Sequence, residues 1–114
     1  MNKTISKENA ARYTWGDNCS SWVLNDAAAL SVKQELMPAG AREQLHYHQH
    51  ASQFFFMLKG VATFYIEDEN IEVREQEGIT IERNQKHFVV NNGTDPIEFL
   101  VISQPATQND RINL

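Results

Sequence analysis

Apolar and polar residues alternate with a period of two along most of the chain. The first clear case is residues 30–36, where Leu30, Val32 and Leu36 alternate with polar residues until Pro38 and Gly40 interrupt the pattern. Because successive side chains of a strand point to opposite faces, this alternation predicts a β-strand. Further strands are predicted over residues 44–49, 53–58, 61–66, 71–74, 79–81, 87–90 and 97–102.

Turn-forming residues separate these strands at short and even intervals. The polar segment "EDEN" at 67–70 is typical of a hairpin loop, and "NNGTDP" at 91–96 contains the Asn-Gly and Asp-Pro pairs that favour turns. Many short strands in this arrangement predict an all-β sandwich or barrel. The expected organisation is an N-terminal segment 1–29 that packs on the barrel through Trp15 and Trp22, the barrel at 30–103, and a tail at 104–114 too polar for a core strand.

Length, charge and cysteine content narrow the class of protein. At 114 residues the chain is one domain, and its net charge of −5 argues against binding nucleic acid or an anionic membrane surface. No apolar stretch resembles a signal peptide or a membrane span, so we expect a cytoplasmic protein. Cys19 is the sole cysteine, which excludes an intrachain disulfide and favours a structural thiol over a reactive one.

Three histidines lie at alternate positions in "HYHQH", residues 46–50. In a strand, His46 and His48 share a face with their Cα atoms roughly 6–7 Å apart, so both imidazoles can reach one ion. The alternative is a pair of histidines that face solvent on an edge strand. His50 falls where the strand passes into a loop, so we expect it to be exposed.

Two segments carry a family resemblance. "GAREQLHYHQHASQFFFMLKG", from Gly40 to Gly60, resembles the first motif of the cupins, G-x5-H-x-H-x4-E-x6-G, with Gln53 in place of the glutamate. "ITIERNQKHFVVN" resembles the second motif and matches it at His87 and Asn91.

The second motif departs from the family pattern at two turn positions. Glu82 stands where proline is usual, and Asn84 stands where glycine is usual. Asparagine readily accepts the left-handed backbone conformation that this turn requires, so we expect Asn84 to replace glycine there.

The resemblance implies a single-domain double-stranded β-helix, or jelly roll, with a metal in its interior. The implied ligands are His46, His48, Gln53 and His87, and the implied cofactor is one divalent transition metal ion, namely Fe, Zn, Ni or Cu. Gln53 either binds the ion directly, hydrogen-bonds a metal-bound water, or has a structural role. Because glutamine carries no charge, the site disfavours harder ions, and a general base at this position is weakened.

Alternation also assigns the faces of the strand after the motif histidines. With Gln53 directed inward, Phe55 and Met57 are expected to form an apolar pocket wall, with Tyr65 as a further wall residue. The opposite face is apolar too and needs a cover, either the N-terminal segment or a second subunit, and we expect a homodimer. This outward row consists of Phe54, Phe56 and Leu58.

Together these features predict a metal-binding cupin that binds or acts on a small anionic organic molecule. As an enzyme it would be a metal-dependent dioxygenase, isomerase or lyase. The alternative is a non-catalytic binding or sensor module with the same metal pocket. A titratable pocket residue outside the ligand set would favour the enzyme, and the sequence identifies none. A cupin without metal is disfavoured by the intact histidines.

Overall fold

The computed structural model describes residues 2–114, which form eleven β-strands. Within this range no helix is long and apolar enough to cross a membrane. The strands are β1 Ala11–Trp15, β2 Cys19–Asp26, β3 Ser31–Met37, β4 His46–His48, β5 Ser52–Lys59, β6 Ala62–Ile66, β7 Glu69–Val73, β8 Gly78–Ile81, β9 His87–Val90, β10 Ile97–Gln104 and β11 Arg111–Asn113.

Two antiparallel sheets face each other. The first has the strand order β1-β2-β3-β10-β5-β8, and the second has the order β11-β4-β9-β6-β7. The chain crosses between the sheets repeatedly, as it does from β3 to β4 and from β4 to β5. The predicted all-β double-stranded β-helix is therefore confirmed, and the predicted strands appear close to their expected bounds.

Both ends of the chain add strands to the sheets. Strand β2 pairs with β3, so β1 and β2 extend the first sheet at its edge. Strand β11 pairs with β4, which places Arg111 opposite His48. The polar tail thus forms a short edge strand rather than a core strand. Met1, the first residue of the expected N-terminal segment, lies outside the described residues.

The inward side chains change character along the strands. At one end of the barrel Met37, Met57 and Phe99 are fully buried in an apolar core. Phe55 links this core to the rest of the interior, with its ring centroid 4.9 Å from that of Phe64. Toward the other end the inward positions become polar and line a cavity. The polar inward residues of the first sheet are Ser31, Lys33, Glu35, Gln53 and Ser103.

The motif residues outside the ligand set shape the turns. Gly60 has φ = +84°, and a Cβ at this position would lie 2.5 Å from Cγ2 of Ile97. Asn84 has φ = +68°, which confirms the expected left-handed conformation. The Asn91 amide donates hydrogen bonds to the carbonyl of Met37 at 3.0 Å and of Asp95 at 2.9 Å, and so joins β3 to the turn before β10.

Candidate metal centre

The pairing of β4 with β9 brings the three motif histidines together. His46 lies directly opposite His87, and His48 shares the inward face of β4. The ring centroids are 4.2 Å apart for His46 and His87, and 5.0 Å apart for His46 and His48. All three side chains are buried, and their candidate ligand nitrogens lie within 4.8 Å of one another. This geometry is suited to holding one metal ion.

Backbone carbonyls orient two of the three rings. Nδ1 of His46 lies 2.8 Å from the carbonyl oxygen of Gln44, and Nδ1 of His87 lies 2.8 Å from that of Gln85. A carbonyl only accepts, so each Nδ1 carries the proton and each Nε2 keeps a free lone pair. Nε2 of His87 is buried and has no hydrogen-bond partner among residues 2–114, and the same holds for Nδ1 of His48. Buried nitrogens of this kind fit a metal.

Burial keeps the cluster uncharged. Burial is the main cause, and together with smaller effects of the neighbouring His87 and Arg111 it lowers the pKa of His46 to about 3 and that of His48 to about 4. Burial likewise lowers the pKa of His87. The rings are therefore neutral at neutral pH, which is the form that binds metals.

Gln53 lies on the same cavity as His46 and His48. Its Nε2 donates to the Ser103 hydroxyl at 3.1 Å, while its buried Oε1 has no partner among the described residues. An amide oxygen held in this way can face an ion or a metal-bound water. Direct ligation by Gln53 stays a prediction.

The cavity beside the cluster has a volume of about 500 Å³. Phe55 lines it, as does the apolar pair Val89 and Val101. The expectation of an apolar-walled pocket is incomplete, because charged side chains contribute much of the wall. These are Asp26, Lys33, Glu35, Glu43 and Arg111.

Two of the expected wall residues lie elsewhere. Met57 is fully buried in the core but does not line the cavity. Tyr65 was wrongly predicted: Phe64 and Ile66 point inward, so alternation directs Tyr65 to the outer face. There its ring stacks on Phe88 with the centroids 4.6 Å apart.

Glu43 and Arg111 form an ion pair beside the histidine cluster. Arg111 Nη1 lies 3.1 Å from Oε2 of Glu43, and the same oxygen lies 3.8 Å from Nε2 of His46. Glu43 also accepts a hydrogen bond from the backbone N–H of Val89 at 3.3 Å. Burial raises the pKa of Glu43 to about 7 despite the opposing effect of Arg111. Neither residue was predicted from the sequence: Arg111 reaches the cavity only through the pairing of β11 with β4, and Glu43 lies in an irregular segment without a periodic pattern.

Glu35 is a second buried carboxyl on the cavity wall, and it was not predicted from the sequence. The alternation in 30–36 identified two faces of β3 but not which one points inward. In the structure Ser31, Lys33 and Glu35 face the interior, whereas Val32 and Leu36 lie on the outer face. Burial raises the pKa of Glu35 to about 7, with smaller opposing effects from the Ser21 hydroxyl and from nearby cations.

Asp110 fixes the loop that follows β4. Its carboxylate accepts hydrogen bonds from the backbone N–H groups of Gln49 at 3.2 Å, His50 at 3.1 Å and Ala51 at 2.9 Å. The residue is buried, although it belongs to the polar tail. No local pattern around Asp110 signals this contact. The side chain of His50 is exposed, as predicted.

Cys19 lies in the apolar core and is fully buried. Burial, with smaller contributions from nearby carboxylates such as Glu35, raises the pKa of its thiol to about 12. The thiol therefore stays protonated and serves packing rather than nucleophilic chemistry.

Comparisons with known proteins agree with this architecture. An uncharacterized protein of Methanocaldococcus jannaschii is 27% identical over 80 residues, which cover 70% of this chain but only 64% of that relative's length. An RmlC-like cupin from Shewanella frigidimarina has a TM-score of 0.84 at 14% identity, with 96% of each chain covered. The polyketide cyclase RemF from Streptomyces resistomycificus has a TM-score of 0.84 at 18% identity, with all of this chain and 86% of that chain covered.

A family model described as "Cupin domain" matches residues 32–103, well over half of the chain. This range contains both histidine motifs and strands β4 to β9, together with all but the first residue of β3 and all but the last residue of β10. The chain belongs to the cupin family, as a small single-domain member.

Proposed function

We propose that this cupin holds one divalent transition metal at His46, His48 and His87, and that it binds a small anionic organic molecule there. The observation that carries the proposal is the cluster itself, three buried imidazoles whose ligand nitrogens lie within 4.8 Å of one another. Neutral imidazoles suit zinc, iron, nickel and copper. Such an ion supplies Lewis acidity and, if it is iron, the ability to activate dioxygen.

Charge in the cavity supports an anionic ligand. Three neutral imidazoles and the amide of Gln53 leave the charge of a divalent ion uncompensated. Lys33 adds a further cation on the cavity wall, and its Nζ donates to the Tyr13 hydroxyl at 2.9 Å. Among residues 2–114, no carboxylate forms an ion pair with Lys33. A carboxylate, enolate or catecholate would satisfy both the ion and this lysine.

An enzyme is favoured over a passive binding module by one feature of the cavity. Glu35 is a titratable group on the wall that does not belong to the proposed ligand set. The enzyme classes that we consider are metal-dependent oxygenases, isomerases and lyases. The likeness to a polyketide cyclase supports the fold alone, because one fold serves many chemistries.

The test is to titrate cobalt(II)-loaded protein with oxalate, acetylacetone and a catechol while recording visible absorption. We expect at least one compound to change the cobalt spectrum with a stoichiometry of one per chain. Lys33→Met should weaken oxalate binding about tenfold, equivalent to roughly 1.4 kcal/mol, without changing the cobalt content. Lys59→Met, at an exposed lysine near the end of β5, is the matched control and should bind oxalate like the parent.

Two other outcomes of this titration would change the proposal. An unchanged cobalt spectrum with all three compounds would contradict the anionic ligand. Binding without consumption of the compound, and without oxygen uptake in the iron-loaded protein, would favour the binding or sensor module.

A further inference from the structure

Glu35 lies on the cavity wall and does not belong to the proposed metal ligands. It lies on β3 between Ser21 of β2 and Phe99 of β10, its neighbours in the sheet. The residue is only 9% exposed, yet it lines the cavity. A carboxyl in this position meets the contents of the cavity rather than bulk water.

The charged and titratable groups around Glu35 leave it without an ion pair. Lys33 lies two residues away on the same face of β3, Arg111 comes from β11, and Glu43 comes from the segment before β4. Arg111 is paired with Glu43, and Lys33 donates to the Tyr13 hydroxyl. Cys19 on β2 is a protonated thiol. Among residues 2–114, the ion pairs do not include Glu35.

We propose that Glu35 is the proton-transfer residue of this cavity, acting on a ligand held at the histidine cluster. The location of that ligand rests on the proposed function. In the forward step an O–H or C–H bond of the ligand breaks, its electron pair stays on the ligand, and the proton joins a carboxylate oxygen of Glu35. In the return step the carboxylic acid gives the proton back to the same or another ligand atom, and no oxidant or reductant is needed.

Glu43 is less suited to this role, although it is also a buried carboxyl on the cavity. Its oxygens are engaged by Arg111 at 3.1 Å and by the N–H of Val89 at 3.3 Å, and it contacts His46. Glu43 is therefore a positioning group beside a proposed ligand. Within the part of the chain that the structure describes, Glu35 has no cation paired with it and only the Ser21 hydroxyl as a neighbouring hydrogen-bonding side chain, and its pKa, raised to about 7, leaves both protonation states populated near neutral pH.

The first test measures the protonation of Glu35 directly. The full chain, labelled with ¹³C at glutamate carboxyl carbons, is titrated by NMR without metal, and Glu35→Gln identifies the Glu35 signal by its disappearance. We expect a midpoint near 7. A midpoint close to the ordinary glutamate value of about 4.3 would overturn the proposal.

The second test asks whether this proton is linked to a ligand. Oxalate binding to zinc-loaded protein is followed at pH 8 by calorimetry in buffers of different ionisation enthalpy. A bound anion beside the ionised Glu35 should raise the pKa of its carboxyl, so that oxalate binding is accompanied by proton uptake. We expect close to one proton per oxalate in the parent and close to none in Glu35→Gln. Glu69→Gln, at an exposed glutamate on β7, should behave like the parent.

The outcomes separate this proposal from the proposed function. No proton uptake in the parent, or undiminished uptake in Glu35→Gln at equal zinc content, would overturn the role of Glu35. If oxalate does not bind, the anion-binding function is contradicted, while the NMR titration of the ligand-free chain still decides the protonation of Glu35.

Discussion

At the scale of single residues, the candidate metal centre depends on how each donor atom is oriented and kept uncharged. The backbone carbonyls of Gln44 and Gln85 hold the Nδ1 atoms of His46 and His87, and this frees both Nε2 atoms. The strand period predicted that His46 and His48 share one face, whereas His87 was predicted from the resemblance to the second cupin motif. Glu35 was not predicted, because a glutamate in a strand shows no local sign of which face will be buried, and Glu43 was not predicted, because it lies in the irregular segment before β4.

Replacement of Gln53 tests the neutral oxygen donor. Gln53→Glu adds a negative charge beside the cluster and should strengthen Mn²⁺ binding about tenfold or more, because harder ions prefer carboxylate ligands. The measurement is the Kd for Mn²⁺ and Zn²⁺ by competition with a chelating dye.

Gln53→Ala removes the amide oxygen and tests direct ligation with the same measurement. A Zn²⁺ affinity equal to that of the parent would refute direct ligation by Gln53.

Glu35 also predicts a pH dependence of stability. Its pKa is raised in the folded chain from 4.5 to about 7. The contribution of Glu35 to the free energy of unfolding is therefore fully present at low pH and is lost as the pH rises through about 7. Between pH 5 and pH 8, Glu35→Gln should therefore gain on the order of 2–3 kcal/mol in unfolding free energy relative to the parent. Urea unfolding of metal-free protein at both pH values measures this change. A difference independent of pH would contradict it.

At the scale of secondary-structure elements, the site depends on the short strand β4 and on what holds it. The alternating pattern predicted the strands from β3 to β10 because each carries its own period of two. The tail strand β11 escaped prediction because three residues of mixed polarity have no recognisable period. Its stability comes from pairing with β4, a contact between residues more than 60 positions apart in the chain.

Replacement of Asp110 tests whether the C-terminal tail stabilises β4 and the loop that follows it. Asp110→Ala removes the acceptor of the backbone N–H groups that follow β4, and such charge-assisted bonds contribute about 1.5–3 kcal/mol each. We expect a loss of roughly 2–4 kcal/mol in unfolding free energy and weaker metal binding, since His48 lies next to this loop. Asp110→Asn should lose less. Asp68→Asn, at an exposed turn residue, is the control, and an equal effect in both Asn variants would contradict the account.

At the scale of the whole molecule, the outer face of the first sheet carries an apolar surface. Phe54 is 38% exposed and lies beside Ile102 of β10, and Phe56 lies beside Leu100. Strands β1 and β2 join this sheet edge to edge at β3, so they do not cover β5. Of the two covers that the sequence left open for this face, we propose the second subunit, as a homodimer.

Sedimentation should therefore report a dimer at micromolar concentration. Phe54→Asp places a charge in the proposed interface and should shift the protein to a monomer with an unchanged far-UV spectrum. Tyr65→Asp, on the outer face of the second sheet, is the matched control and should stay dimeric. A parent protein that sediments as a monomer would contradict the proposed interface.

The central claim is that three buried histidines hold a metal, and the most direct test is the metal content of untagged protein. After equilibration with zinc and removal of excess ion, elemental analysis should give one zinc per chain for the parent and close to none for His46→Ala and His87→Ala. His50→Ala, at the exposed histidine, should retain the full amount. Far-UV spectra should be unchanged throughout, because the fully buried core residues Met37, Met57 and Phe99 do not line the cavity that holds the cluster. A parent protein without bound zinc, or full zinc content in His87→Ala, would contradict the account.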